Sequence, residues 1–206
     1  MSGEVLWYLN RATGVVLLVL MTLTVVLGVL VRRHGRLPGL PRFGVVGLHR
    51  NVGLLSALLL LLHVGTAVVD SYVDLGWTDA VVPFVAGYEP FAVGLGTLAL
   101  DLLLLIVATS LLRGHLPLGL WRWVHRTAYL LWPMALVHGL AAGTDLGSGW
   151  LLGLALACAA AVAWAAGTAV LDRRSVRPAA ERAPAAVDAS TTSLGAGQPV
   201  AVFRNG

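Results

Sequence analysis

HRNVGLLSALLLLLH, residues 49–63, and HRTAYLLWPMALVH, residues 125–138, decide how this chain is read. Each begins and ends on a histidine, and nearly everything between is apolar. Leucine-rich runs of this kind propagate as helix, and an imidazole inside one is costly in lipid unless something uses it. His49 and His63 are 14 residues apart, which is about 20 Å of helix rise and within about 40° of one face. His125 and His138 are 13 apart, which leaves them about 140° out of phase on an ideal helix. Pro133 lies between them. By removing one backbone hydrogen bond it is expected to unwind the helix locally and correct the phase.

The chain around these stretches has a membrane-protein composition. Of its 206 residues 58% are hydrophobic and 12% charged, about half the charged share of a soluble domain. Mean hydropathy is +0.83. Five apolar stretches, near 13–31, 49–70, 91–112, 120–142 and 150–171, each approach the ~20 residues that cross a ~30 Å hydrocarbon core as a helix. None alternates with a period of two, which argues against a barrel. The expected fold is all-α, a polytopic membrane helical bundle of about five transmembrane helices. The first stretch lacks a basic leader and a small-x-small cleavage site, and Arg32 and Arg33 follow it directly. It reads as a retained helix and not as a secretory signal.

All 14 basic residues are arginine. Arg32, Arg33, Arg36, Arg42 and Arg50 flank the first connection, and Arg113, Arg122 and Arg126 the third. Arg173, Arg174, Arg177, Arg182 and Arg204 follow the last stretch. Only Arg11 falls on the other side, where Glu4, Asp70, Asp74, Asp79, Glu89 and Asp145 collect. The positive-inside bias therefore puts the N-terminus outside and the C-terminal tail in the cytoplasm of a multi-pass plasma (cytoplasmic) membrane protein. Topology accounts for the pI near 10, so lipid is the expected surroundings and no nucleic-acid partner is required. The expected organisation is an external segment 1–12, a membrane domain 13–171 and a disordered cytoplasmic tail 172–206 rich in Ala, Pro, Ser, Thr and Arg. The connection 71–90 carries Tyr72, Trp77, Phe84 and Tyr88 at headgroup level, with 80–86 dipping back as an interfacial segment. The chain has no G-x-G-x-x-G after a strand and no P-loop. No soluble stretch is long enough to fold a flavin or nicotinamide domain, so cofactors of those kinds belong to another molecule.

One crossing separates the two histidine stretches, so they run in the same direction. His49 and His125 then share the arginine-rich level, and His63 and His138 the opposite one. Two histidines per level suit the two axial positions of a heme iron held between facing helices. A zinc shell would stay incomplete, with no Cys or carboxylate at either level. Arg50, Arg122 and Arg126 are placed to meet inner heme propionates and Arg11 the outer ones, although each also fits as an ordinary interfacial charge. Gly53 and Gly139 are small enough to let a flat macrocycle approach, and Trp132, midway in height between His125 and His138, reads first as a packing residue. Asp101 interrupts LALDLLLLI (98–106). It either faces the bundle as a proton relay or histidine partner, or pairs with a polar group such as Asn10 or Arg11. His34 and His115 read as solvated loop residues, and Cys158 as a packing residue with no disulfide partner.

Together these residues resemble the ferric reductase-like transmembrane domain family. Its members include the membrane parts of NADPH oxidases and ferric reductases, and the heme-bearing membrane subunit that serves the periplasmic methionine sulfoxide reductase. The resemblance covers about residues 7–171. It rests on the two quoted stretches, their 14-then-13 spacing and the intervening GLGTLALDLLLLIVATSLLR (94–113). Diheme cytochromes b of the quinol–cytochrome c type are less similar, with a wider second spacing and more helices. The resemblance implies two b-type hemes, one between His49 and His125 and one between His63 and His138, and electron passage from the cytoplasmic to the outer face. The implied donor is a cytoplasmic flavoprotein reductase or a membrane quinol. The implied acceptor is ferric iron, oxygen or an external redox partner. The chain departs from the oxidases in showing five crossings instead of six and in lacking their flavin and nicotinamide domains. It is thus expected as an electron-transfer component and not as a complete reductase. Two alternatives stay open, a heme subunit dedicated to one external oxidoreductase and a heme-free transporter or structural membrane protein.

Overall fold

The computed structural model describes residues 3–33, 41–70, 74–143 and 149–192. His34 and the rest of the first loop to 40, Tyr72, loop residues 144–148 and the tail from 193 lie outside them. The described residues are helical with short connections and contain no strand. In order they form α1 (Gly3–Arg32), α2 (Arg42–Val69), α3 (Trp77–Val81), α4 (Pro90–Leu111), a 3₁₀ turn at Arg113–His115, α5 (Leu118–Arg126), α6 (Ala128–Ala142) and α7 (Trp150–Thr192). Helix is what lipid demands, because only intrasegment hydrogen bonds satisfy the backbone there. Hydroxyls inside these helices follow the same logic. Thr22 donates to Leu18 O at 2.7 Å, Thr24 to Leu20 O at 2.8 Å and buried Ser56 to Val52 O at 2.8 Å.

Four helices, at 4–32, 42–69, 90–111 and 150–171, are long and apolar enough to cross a bilayer. The fifth expected crossing, 120–142, is not one helix. It divides at Thr127 into α5 and α6. Thr127 N–H bonds Val124 O at 3.0 Å and its hydroxyl bonds the same carbonyl at 2.7 Å, an i→i+3 turn that interrupts the helix. The break between His125 and His138 therefore sits at Thr127 and not at Pro133. Pro133 stays inside α6 with its ring exposed on the outer surface.

The chain divides into two units, 1–165 and 166–206. In the first, α1 packs along α2 and α4 along α6, while α1 also meets α6 and α2 meets α4. The four make a ring in which α2 and α6 stand diagonally. Leu17 and Met21 of α1, Leu60 of α2, Leu100 and Leu103 of α4, and Leu131 and Trp132 of α6 fill its middle, with Cys158 of α7 buried beside them. The outer surface is also apolar. Leu58 and Trp164 are each 66% exposed, and Leu130 is 63%. A bundle with leucine on both its inner and outer surfaces is a multi-pass membrane protein, the outer layer meeting lipid.

α1 starts at Gly3, so most of the expected external segment 1–12 is the opening of a helix. In the second unit the backbone is helical as far as Thr192, beyond the point where an unstructured tail was expected. Alanine is abundant there and is the best helix former. The connection before α4 does fold back on the bundle. Thr97 Oγ1 donates to Asp79 O at 2.7 Å, Ala86 is buried, and the Phe84 ring occupies the space that a side chain at Gly94 would need.

Candidate functional site

The four expected histidines come together as two pairs, at the levels the sequence assigned. His49 and His125 stand with ring centroids 6.0 Å apart and planes at 72°. His63 and His138 stand 6.4 Å apart at 85°. An imidazole nitrogen sits about 2 Å from a metal it ligates, and its ring centroid about 1 Å further back. Two imidazoles on opposite sides of one metal therefore have centroids about 6 Å apart, which both pairs match. Among the described residues no group of three or more His, Cys, Asp or Glu could hold a metal. Any ion here would need its remaining ligands from a larger group.

Three of the rings are fixed by one device. His63 Nδ1–H donates to Asn10 O at 2.9 Å, His49 Nδ1–H to Thr24 O at 3.0 Å, and His138 Nδ1–H to Ala92 O at 2.7 Å. Each of those carbonyls already serves its own helix, bonding the N–H four residues on. In every case that fourth residue is a glycine, namely Gly14, Gly28 and Gly96. A Cβ at Gly14 or Gly28 would lie 3.2 Å from the facing imidazole, and at Gly96 it would lie 2.8 Å from the His138 ring. Removing the Cβ lets the ring reach the second lone pair of the carbonyl. Once Nδ1 carries the proton, Nε2 is left with a free lone pair, as a metal ligand needs. Asn10 adds a clamp between α1 and α2, its Nδ2 donating to His63 O at 2.8 Å and Thr66 Oγ1 at 3.2 Å.

His125 is held differently. Its Nδ1 is buried with no hydrogen-bond partner. Its ring stacks on Trp121, centroids 5.1 Å apart at 25°, and the Arg113 guanidinium lies 4.3 Å over that same indole. The α4 position 14 residues beyond Gly96 is Ser110, not glycine, and its Oγ accepts from Trp121 Nε1 at 3.4 Å.

A cavity of about 330 Å³ opens at the His63–His138 level, lined by Gly14, Leu17, Leu60, Gly96, Leu100 and Leu136 among others. That volume is in the range of small-molecule sites. Arg11 lines it and also lies 4.8 Å over the Trp7 ring. Arg50, Arg122 and Arg126 are exposed at the other level. Trp132 is buried and donates to Thr22 Oγ1 at 3.0 Å, tying α6 to α1 between the two pairs.

Gly53 and Gly139, expected to give a macrocycle room, make no close approach to an imidazole, and Gly139 lines the cavity at the His63–His138 level. A Cβ at Gly53 would meet only Thr24 at 3.7 Å, and one at Gly139 would meet nothing within 4 Å. The glycines that face the rings are 14, 28 and 96, and a signal for the first two existed, since Gly14 and Gly28 repeat the 14-residue spacing of His49 and His63. Asp101 does not face the bundle. It is exposed on the outer flank of α4, and Asn10 is engaged with α2. Trp121, inside the expected crossing 120–142 and given no role there, and Arg113, read as a charge flanking the third connection, belong to the His125 surroundings. His115 is exposed, as expected of a loop residue.

The fold and the facing imidazole pairs define a multi-pass membrane bundle with two matched histidine levels. A family model described as "Ferric reductase like transmembrane component" matches residues 13–136, more than half of the chain. The chain belongs to the ferric reductase-like transmembrane family, which implies an electron-transfer role in the membrane. The match contains His49, His63 and His125 and ends two residues before His138. No curated protein and no solved structure matches the chain.

Proposed function

We propose that this chain is a b-type diheme membrane cytochrome that passes electrons across the bilayer, from a cytoplasmic flavoprotein reductase or a membrane quinol to an acceptor on the outer face. The observation that carries this reading is the pair of imidazole couples at 6.0 and 6.4 Å, with three of the four Nδ1 protons spent on backbone carbonyls. Two protein ligands per level suit a group that brings four nitrogens of its own. Heme, when bound, supplies a one-electron carrier whose potential the protein tunes.

The chain's own residues supply the rest. His49 with His125 and His63 with His138 would hold the two hemes, and two imidazoles spent on each would favour electron transfer over substrate binding at the metal. Leu17, Leu60 and Leu100 keep water from the outer level, and Gly14 and Gly96 set the rings at the height their carbonyls dictate. Arg11 is in reach of carboxylates at the outer level, and Arg50, Arg122 and Arg126 ring the inner one. Service to one dedicated external oxidoreductase is the second reading. The folded-back segment at 77–86, with Trp77, Val81 and Val85 exposed, gives an outer face on which such a partner can sit.

A pyridine hemochrome assay on the detergent-purified chain tests the first statement. About two b hemes per chain are expected from two bis-histidine levels. A value near zero returns the chain to the transporter or structural class.

A further inference from the structure

Four equivalent histidines would be expected to be held in four equivalent ways, and one is not. His49, His63 and His138 each give Nδ1–H to a carbonyl of α1 or α4 exposed by a glycine. At the fourth position Ser110 stands where the pattern places glycine, Trp121 fills the space, and His125 Nδ1 is buried without an acceptor. In place of a hydrogen bond the ring has a stack, His125 on Trp121 with Arg113 over the indole.

We infer that the two levels are electronically unequal by construction. The His49–His125 level is the more easily reduced, and Trp121 and Arg113 are the positioning residues that set it. This rests on the diheme reading above. Hydrogen-bonding the distal nitrogen raises the basicity of a metal-bound imidazole, and a more basic ligand favours the oxidised metal. At the outer level both rings have that bond, whereas at the inner level only His49 does. The inner site therefore loses part of the stabilisation of its oxidised form. Arg113 acts in the same direction, because a fixed positive charge one ring away favours the state carrying the extra electron. The stack also replaces the hydrogen bond as the device that fixes ring orientation, so Trp121 sets the angle of the His125 plane.

The test is a spectroelectrochemical titration of the full heme-loaded chain in lipid nanodiscs, with low-spin EPR on the same samples. Two one-electron steps are expected, and the His63→Leu chain should retain the upper one. Arg113→Gln should move the upper step down and leave the lower in place, with Arg113→Lys restoring it. Trp121→Leu should alter the EPR anisotropy of that one site, and Trp121→Phe should return it toward wild type. Arg113 is exposed, so its variants carry the test even if Trp121→Leu fails to fold. The inference is overturned if the upper step belongs to the His63–His138 level, or if Arg113→Gln moves neither step or both equally. A purified chain without heme overturns the cytochrome reading itself, a distinct result from equal levels in a diheme protein.

Discussion

The outer and inner histidine levels share a ligand plan and differ in how they are supported. At the outer level both rings lean on a carbonyl freed by glycine, one from α1 and one from α4, around a cavity lined by leucine. At the inner level the α1 half of that device is kept, with Gly28 and Thr24 serving His49, while the α4 half is replaced by an indole and a guanidinium. The helix break explains the difference. His138 lies on α6, which packs along α4, whereas His125 lies on the short α5 just before the Thr127 turn. A ring on that detached turn needs a support of its own. The comparison separates what ligation requires, two facing imidazoles, from how each ring is held.

The largest expected effect breaks the comparison outright. His63→Leu should lower the hemochrome yield by about half and abolish transmembrane electron transfer, and His125→Leu should remove the other half, since each level needs both axial ligands. Loss of all heme in either variant, with the chain still folded by circular dichroism, would show that the levels are not independent. A smaller effect grades the glycine device. Gly96→Ala drives a Cβ to 2.8 Å of the His138 ring, against 3.2 Å for Gly28→Ala at His49. Heme retention at the affected level should fall on the order of tenfold for Gly96→Ala and less for Gly28→Ala. Equal retention in both variants and wild type would remove the steric basis of the device. The smallest effect lies on the far flank of α4. Asp101→Leu touches neither level, so optical spectra and heme content should stay as in wild type. Stability in the bilayer should rise by on the order of 1–3 kcal/mol as a lipid-facing carboxylate is removed. A changed heme spectrum would return Asp101 to the bundle interior.

The pairing of the histidines was legible because direction and spacing are one-dimensional properties. Counting crossings placed His49 with His125 and His63 with His138, and the rings meet in that way. Orientation about a helix axis was less legible in helices apolar on every side. LALDLLLLI gives no polar face to say which way Asp101 turns, and it turns outward. The phase problem between His125 and His138 was visible, but its solution was assigned to Pro133. A proline is a conspicuous helix breaker, whereas Thr127 breaks the helix by a single i→i+3 turn that no residue type announces. The supporting glycines were missed for a related reason. The glycines that face the rings lie on α1 and α4, far from the histidines in sequence. The repeated 14-residue interval marked Gly14 and Gly28, and nothing of that kind marked Gly96.

The vertical distance between the pairs has a consequence for energetics beyond packing. Fourteen residues of helix separate His49 from His63, about 21 Å of rise out of a ~30 Å hydrocarbon core. An electron moving between carriers at these heights crosses roughly two-thirds of the insulating layer, and so about two-thirds of any voltage across it. A full crossing is worth about 2.3 kcal/mol per 100 mV, so the internal step alone exchanges about 1.5 kcal/mol per 100 mV with the membrane. In the proposed orientation, with the cell interior negative, that field would push an electron outward from the inner level toward the outer one. On the proposed diheme reading, the spacing that first identified the two histidine levels would make the chain an electrogenic element, driven by the membrane potential and in turn discharging it.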